Sequence, residues 1–237
     1  MKILVVLVSV LAFLLVALAG PLYKFNIVEL GTAFSSFKYG VILAVIALIL
    51  LIIQVICKRK TVSMLSAITV VAFSAISIIA PLSMMNKAKN VPPIHDISTD
   101  TVTPPEFVAI APLRADAPNP VAYSGIKTAE QQRNAYPDLQ TLRYTQSKAE
   151  LVVAVEQTIN NLGWEGINTD ANAGLVEATD STMWFGFKDD VVVRITDNGS
   201  ERLLDVRSKS RVGGSDLGKN AERIRDFIEA LDAVLGE

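Results

Sequence analysis

Glu177-Ala-Thr-Asp-Ser-Thr-Met-Trp-Phe-Gly-Phe-Lys-Asp-Asp-Val-Val-Val-Arg-Ile195 is the stretch that decides how the C-terminal part of the chain folds. Val191, Val193 and Ile195 recur at every second position, so they share one face of a strand over Val191–Thr196. Upstream, Leu175–Thr179 predicts a strand. Met183–Phe187 predicts another, with Phe185 and Phe187 on one side and Trp184 on the other. Lys188-Asp-Asp190 supplies a turn between strands. Downstream, Asp197-Asn-Gly-Ser200 is a strong hairpin signal, and Arg202–Val212 returns with Leu204 and Val206 on a common face.

Helices flank these strands. Ser147-Lys-Ala-Glu150 is a capping box. It opens a helix whose Leu151, Val155, Ile159 and Leu162 lie on one face, and Gly163 stops it. Trp164–Thr169 then predicts a strand before the turn Asp170-Ala-Asn-Ala-Gly174. After the last strand, Gly213-Gly214-Ser215 breaks the sheet, and Ser215 caps a final helix. Its apolar positions Leu217, Ala221, Ile224, Ile228, Leu231 and Leu235 form an amphipathic stripe. Residues 147–237 therefore read as an α+β two-layer domain, with about four or five antiparallel strands and two packed helices.

Residues 87–146 are of another kind. Pro92, Pro93, Pro104, Pro105, Pro112, Pro118 and Pro120 exclude regular helix and central strand, because proline fixes φ and removes a donor. The segment predicts an extended arm that partly wraps the domain, anchored by Val91, Ile94, Phe107, Val108, Ile110 and Leu113. Thr128–Ala135 predicts a short helix capped by Thr128 with Gln131 reaching back, and Leu139–Tyr144 a short strand.

Residues 1–86 carry most of the apolar excess of a chain that is 51% hydrophobic and 19% charged. Three apolar runs, Ile3–Ala19, Tyr39–Ile56 and Val62–Met85, each approach the ~20 residues a helix needs to cross hydrocarbon. They predict three transmembrane helices. Ala17-Leu-Ala19 before Gly20 also fits signal-peptide cleavage; a retained helix is the preferred reading. The triply basic turn Lys58-Arg59-Lys60 belongs on the cytoplasmic side, which puts everything after Met85 across the membrane in a multi-pass protein; for a bacterial inner-membrane protein, which the resemblance given below implies, that side is the periplasm. In the third run, Ser63, Ser66, Ser74 and Ser77 with Val70 suit helix–helix packing. Cys57, the one cysteine, excludes an intramolecular disulfide. Residues 1–86 hold six Lys/Arg and one Glu, and residues 87–237 hold sixteen Lys/Arg and twenty-three Asp/Glu. So acidic a domain argues against nucleic acid as a partner.

Arg207, Lys209 and Arg211 alternate along one strand and share a face. Gly213, Gly214 and Ser215 follow at a helix N-terminus, where free N–H groups favour an anion. With Trp184, which points away from the Phe pair, these residues form the candidate ligand site. The alternative is a solvated face whose cations pair with Asp205, Glu177 or Asp180. Asp180, Asp189 and Asp190 would serve as an acid–base set or as turn caps. His95, the single histidine, lies near Asp96 and Asp100 but has too few companions for a metal site. No catalytic residue, metal or cofactor is assigned.

Several strings carry a resemblance. They are Pro92-Pro-Ile-His-Asp-Ile97, Ala117-Pro-Asn-Pro120, Gln132-Arg-Asn-Ala-Tyr-Pro137, Glu177-Ala-Thr-Asp180, Trp184-Phe-Gly-Phe-Lys-Asp-Asp-Val-Val-Val-Arg194, Asp205-Val-Arg-Ser-Lys-Ser-Arg-Val-Gly213 and Ser215-Asp-Leu-Gly218. In this order, over about residues 90–235, the chain resembles the family catalogued as domain of unknown function 1499. That resemblance implies a membrane-anchored bacterial form and brings no established reaction, cofactor or catalytic residue. The expectation is a non-catalytic envelope protein that binds an anionic partner: a lipid headgroup, a polymer or an acidic protein segment. The alternatives are an envelope enzyme using Asp180, Asp189 or His95, and a structural adaptor acting through the proline-rich arm and Trp184.

Overall fold

A computed structural model describes residues 2–58 and 62–236. Two compact units emerge: residues 1–87 together with 183–186, and residues 88–182 together with 187–237.

The first unit holds helices α1 (Lys2–Ala17), α2 (Ala19–Lys24), α3 (Leu30–Lys58) and α4 (Met64–Asn90). Two of them, α3 and α4, are long and apolar enough to cross a membrane. This corrects the expected three. The first run yields a helix of 16 residues, about 24 Å at ~1.5 Å per residue, short of the ~30 Å hydrocarbon layer. The chain turns at Leu18 before α2 begins. Conversely, α3 reaches back to Leu30, well before Tyr39. Arg59 and Lys60 of the basic turn lie outside the described residues. Small residues let α1 approach α3: a Cβ on Gly40 would stand 2.6 Å from Val16 Cγ2 and 3.0 Å from the Ala12 carbonyl oxygen. Phe13 of α1 stacks on Phe73 of α4 at 4.8 Å. Of the serine row, Ser74 and Ser77 of α4 are buried with Val70, whereas Ser63, just before the helix, is exposed and bonds the half-buried Ser66.

Residues 183–186 belong to this unit and are a loop, not the expected strand. Trp184 and Phe185 both enter one aromatic cluster with Phe37, which strand alternation would forbid. Tyr23 and Phe34 complete the cluster against Phe185. The Trp184 indole N–H donates to the Ala17 carbonyl at 3.2 Å, and Lys24 Nζ donates to the Met183 carbonyl at 3.0 Å. Gly186 turns the chain with φ +67°.

The second unit is built on a six-stranded antiparallel sheet in the order β1-β6-β5-β4-β3, with β2 also pairing on β6. The strands are β1 (Asp96–Ser98), β2 (Leu142–Tyr144), β3 (Glu165–Asp170), β4 (Leu175–Ser181), β5 (Lys188–Asn198) and β6 (Glu201–Ser210). Two short strands, β1 and β2, share the outer edge of β6. That is how the arm adds to the sheet, and β1 was not anticipated. Asn198 pairs with Glu201, so the two-residue hairpin turn is Gly199-Ser200, within the Asp197–Ser200 signal but one residue later than Asn-Gly as the central pair would put it.

Helices α6 (Lys148–Asn161) and α7 (Lys219–Leu235) pack on one sheet face. Val191, Val193, Ile195, Leu204 and Val206 meet Leu151, Val155, Ile159, Ile224, Phe227 and Leu231 there, all buried. The Ser147–Glu150 capping box opens α6 as expected. The caps of α5 (Ile126–Ala135) and α7 differ from expectation. Gly125 precedes α5 without a side-chain cap, and Thr128 Oγ1 donates back to the Ser124 carbonyl. Ser215 stands ahead of α7, which starts after Gly218.

Gly174, at φ +68°, sits where an added Cβ would collide with the Ile195 carbonyl oxygen. That close approach lets its own carbonyl accept from Ile195 N at 2.7 Å. Gly174→Ala is expected to lose roughly 1–3 kcal/mol, seen as a lower denaturant midpoint.

Candidate functional site

The sheet has two unlike faces because β4, β5 and β6 alternate apolar and charged residues. Away from the helices, three rows of cross-strand neighbours run: Leu175–Arg194–Asp205, Glu177–Val192–Arg207–Ser98 and Thr179–Asp190–Lys209–Asp96. Such a face would be solvated in an ordinary α+β domain. Here most of it is buried: Arg207, Lys209, Asp96, Asp190, Asp205 and Glu177 are nearly inaccessible, because the proline-rich arm lies on them.

Each charge has a defined role. Asp96 receives Arg207 Nε at 2.9 Å and Lys209 Nζ at 2.9 Å. Asp190 receives Arg114 Nη1 at 2.6 Å and Arg211 Nη2 at 2.8 Å. Arg194 bridges Asp100 and Asp205. The remaining donors reach the arm's main chain. Arg207 donates to the carbonyls of Pro105 and Val121, Lys209 to that of Ala122, Arg211 to Leu113 and Arg194 to Thr103. Glu177 does the reverse, accepting from the N–H groups of Val108, Ala109 and Ile110 at 2.7–3.2 Å. The irregular arm obtains from charged side chains the partners that helix or sheet would have given it.

Apolar contact supports the clasp. Phe107 and Ile110 pack on Val192, and the Phe107 ring lies under the guanidinium groups of Arg207 at 4.9 Å and Arg114 at 5.6 Å. Val108 and Leu113, expected as anchors, are more than half exposed. Their segment faces the sheet through its N–H groups and through Phe107 and Ile110 instead.

The electrostatics follow from who shares whom. Burial pushes the Asp96 carboxyl upward, but Arg207 and then Lys209 overcome it, so its pKa falls below the ordinary value. Burial also lowers Lys209, and Asp96 does not restore it, because Lys209 shares that carboxylate with Arg207 and faces Arg114 as well. Tyr123, whose ring lies 5.4 Å from the Arg207 guanidinium, is raised to about 12 by burial and then by Asp96.

On the helix face, Arg223 of α7 donates to Asp180 and Asp189, each at 2.7 Å. Burial opposes its charge, yet Asp189 and Asp180 raise its pKa. Asn220 joins Ser208 Oγ, Ser210 Oγ and the His95 carbonyl. The N-terminus of α7 is served by the Asp216 carboxylate, which accepts from Gly218 N and Asn220 N at 2.8 Å each.

The sequence candidates are thus distributed as follows. Arg207, Lys209 and Arg211 do share a face, as expected, but their carboxylate partners are Asp96 and Asp190 rather than Asp205, Glu177 or Asp180. Gly213 and Gly214 are exposed. Asn119 Nδ2 holds the Gly213 carbonyl, while Ser215 Oγ accepts from Leu217 N. Trp184 lies with the other unit. Asp180 and Asp189 sit together on the helix face, and Asp190 on the opposite one. Sequence reasoning missed Asp96, Arg114, Glu177, Arg223 and Asn220 as network centres. A lone arginine among prolines and a carboxylate within an apolar strand were the available signals. Two open grooves of about 560 and 570 Å³ are present, the second of them reaching Glu177. One runs between Asp138, Leu142, Arg225 and Ile228, the other along Glu156, Asn160 and Asn168. Neither is lined by Arg207, Lys209 or Arg211.

Asp96→Asn would strand two buried cations and is expected to cost about 3–5 kcal/mol, with the arm becoming the first proteolytic site. Acid acts in the same sense. The Asp96 pKa is lowered on folding, so its contribution is complete above the ordinary Asp value of ~3.9 and is lost as pH falls through the lowered one. Asp100, lowered despite burial by Thr103 and Val102 N–H bonds, behaves alike. Asp216, raised by burial, has the opposite sign, since its protonation favours the folded form. A global melt blends the two. Amide exchange of residues 105–122 against pH reads the clasp alone, and protection should persist to about pH 4 and collapse below it.

A family model described as Protein of unknown function (DUF1499) matches residues 96–231. No curated protein matches the chain. The matched span starts at Asp96, the carboxylate at the centre of the clasp, and runs through all six strands into α7. It covers more than half of the chain, which therefore belongs to this family of proteins of unknown function.

Proposed function

We propose that the chain is a non-catalytic protein of the bacterial cytoplasmic membrane, and that its C-terminal domain stands in the periplasm as an adaptor presenting the proline-rich arm to a protein partner. The observation that carries this reading is the two-sidedness of the arm. Its inner side is consumed by the charged sheet face, whereas Val102, Val108 and Leu113 turn outward, each more than half exposed. Pro112, Pro118 and Pro120 are exposed beside them. A proline-fixed segment loses little further entropy on binding, which favours recognition.

The membrane part of the reading rests on α3 and α4, whose many exposed Ile, Leu and Val side chains suit lipid. The periplasmic side rests on the basic Lys58-Arg59-Lys60 link between them. The anionic-partner reading ranks lower. Its cations are engaged with Asp96, Asp190 and arm carbonyls, and Asp216 supplies the anion at the α7 N-terminus. The enzyme reading ranks lower too, because Asp180 and Asp189 converge on Arg223.

A photo-crosslinker placed at Val108 or Leu113 in cells should trap the same partner from both positions. A crosslinker at Val153, exposed on α6, should not. An identical pattern from all three would overturn the arm as the binding surface. For topology, a reporter enzyme fused after Glu237 should be active only when exported, and cytosolic activity alone would reverse the placement.

A further inference from the structure

The loop between β4 and β5 exposes large apolar side chains. Met183 is 90% exposed and Trp184 37%, although Trp184 already packs on Phe37 and Phe185. Phe25 and Ile27, in the link between α2 and α3, are more than half exposed in the same unit. A Met–Trp tip in water would be an unusual use of apolar surface.

The length of α3 says where this cluster lies. Its apolar span Leu30–Cys57 has 28 residues, about 42 Å long at ~1.5 Å per residue, against ~30 Å of hydrocarbon. Lys58 begins the basic link, so hydrocarbon starts close to Cys57. The surplus of ~12 Å falls at the Leu30 end. Phe34 and Phe37 occupy the first two turns there and hold Phe185 and Trp184. Lys38 follows Phe37, and Lys24 lies along Gly186, 2.8 Å from the position its Cβ would take. Trp184 and Tyr23, which packs on Phe185, are the aromatic rings with a polar tip here, and such rings interleaved with lysines are what the headgroup layer selects.

We propose that Met183 and Trp184, with Phe25 and Ile27, form an anchor seated in the headgroup layer of the bilayer. The occupant is lipid because Trp184 sits against Ala17 at the end of α1 and Phe37 of α3, beside exposed apolar side chains: Leu14 of α1, Leu18 just after it and Ile42 of α3. The proposal rests on the membrane reading above and adds a contact made by the β4–β5 loop, which the helices alone would not require.

The test uses the full chain in phosphatidylcholine–phosphatidylglycerol vesicles, with Trp164→Phe leaving Trp184 as the single indole. Lipids brominated near the headgroup end of the acyl chain should remove most of its emission. Lipids brominated at mid-chain should remove less, and aqueous iodide little. Strong iodide quenching without bromolipid quenching would place the tip in water and overturn the anchor. Protection from both quenchers would mean a protein cover, such as a second copy, and would overturn it too. Quenching strongest at mid-chain would refute the headgroup depth. A chain that fails to float with vesicles would overturn the membrane reading itself, whereas one that floats without shallow quenching overturns the anchor alone. The same difference is read from wild type against Trp184→Phe, so the outcome does not depend on Trp164→Phe folding.

Discussion

Main-chain amides and carbonyls removed from water must find partners, and a segment rich in proline cannot give them to itself. This one constraint organises the domain. Residues 103–122 form no ladder and only one 3₁₀ turn, Ala111–Arg114, yet they cover most of one sheet face. The sheet answers with long charged side chains that reach past the pleat to individual carbonyls, and with one glutamate that gathers three consecutive N–H groups. A hydrogen bond to a charged group contributes about 1.5–3 kcal/mol, roughly twice a neutral one. So few anchors can hold a segment with so few apolar contacts of its own.

Apolar packing would be the simpler glue, and buried ion pairs often do no better than hydrophobic replacements of equal volume. What the charges add is register. A leucine on this face would accept the arm at several offsets, whereas Arg207 needs Asp96 together with the Pro105 and Val121 carbonyls at once. Arg114 makes the same point from the arm's side, joining Asp190 to the carbonyls of Lys209, Asn119 and Ser210. The arm can be seated in one way, and its outward side chains are thereby fixed in position.

Local signals carried much of this fold. The capping box at Ser147, the Asn-Gly hairpin and the alternation of Val191, Val193 and Ile195 each depend on neighbours a few residues away, and each appears within a residue of where its pattern says. The elements that escaped depend on distant partners. Strand β1 exists because β6 offers an edge 111 residues later in the chain, at the Ile97–Ser208 pairing. Met183–Phe187 alternates like a strand, but Gly186 and the rings of Phe34 and Phe37 draw it into a loop. Ser215 looks like a cap until Leu217 and Gly218, both at positive φ, delay the helix and hand the role to Asp216. For the site, the shared face of Arg207, Lys209 and Arg211 was legible from a period of two. That Asp96 and Arg114 would close it from a segment about 100 residues away was not.

Charge balance decides what such a surface attracts. On the covered face, Arg114, Arg194, Arg207, Lys209 and Arg211 stand against Asp96, Asp100, Glu177, Asp190 and Asp205, five of each sign. Residues 87–237 hold sixteen Lys/Arg and twenty-three Asp/Glu. Setting the covered ten aside leaves eleven cations and eighteen carboxylates, so the whole acidic excess belongs to the remainder of the domain. An anionic polymer approaching through water meets the net repulsion of that remainder at distances up to the Debye length, about 8–10 Å at physiological salt, before it meets any of the covered cations. An uncharged apolar partner is indifferent to that field, and a basic one is drawn by it. The arrangement that hides the arginines beneath the arm therefore also selects which kind of molecule can come close to its outer side.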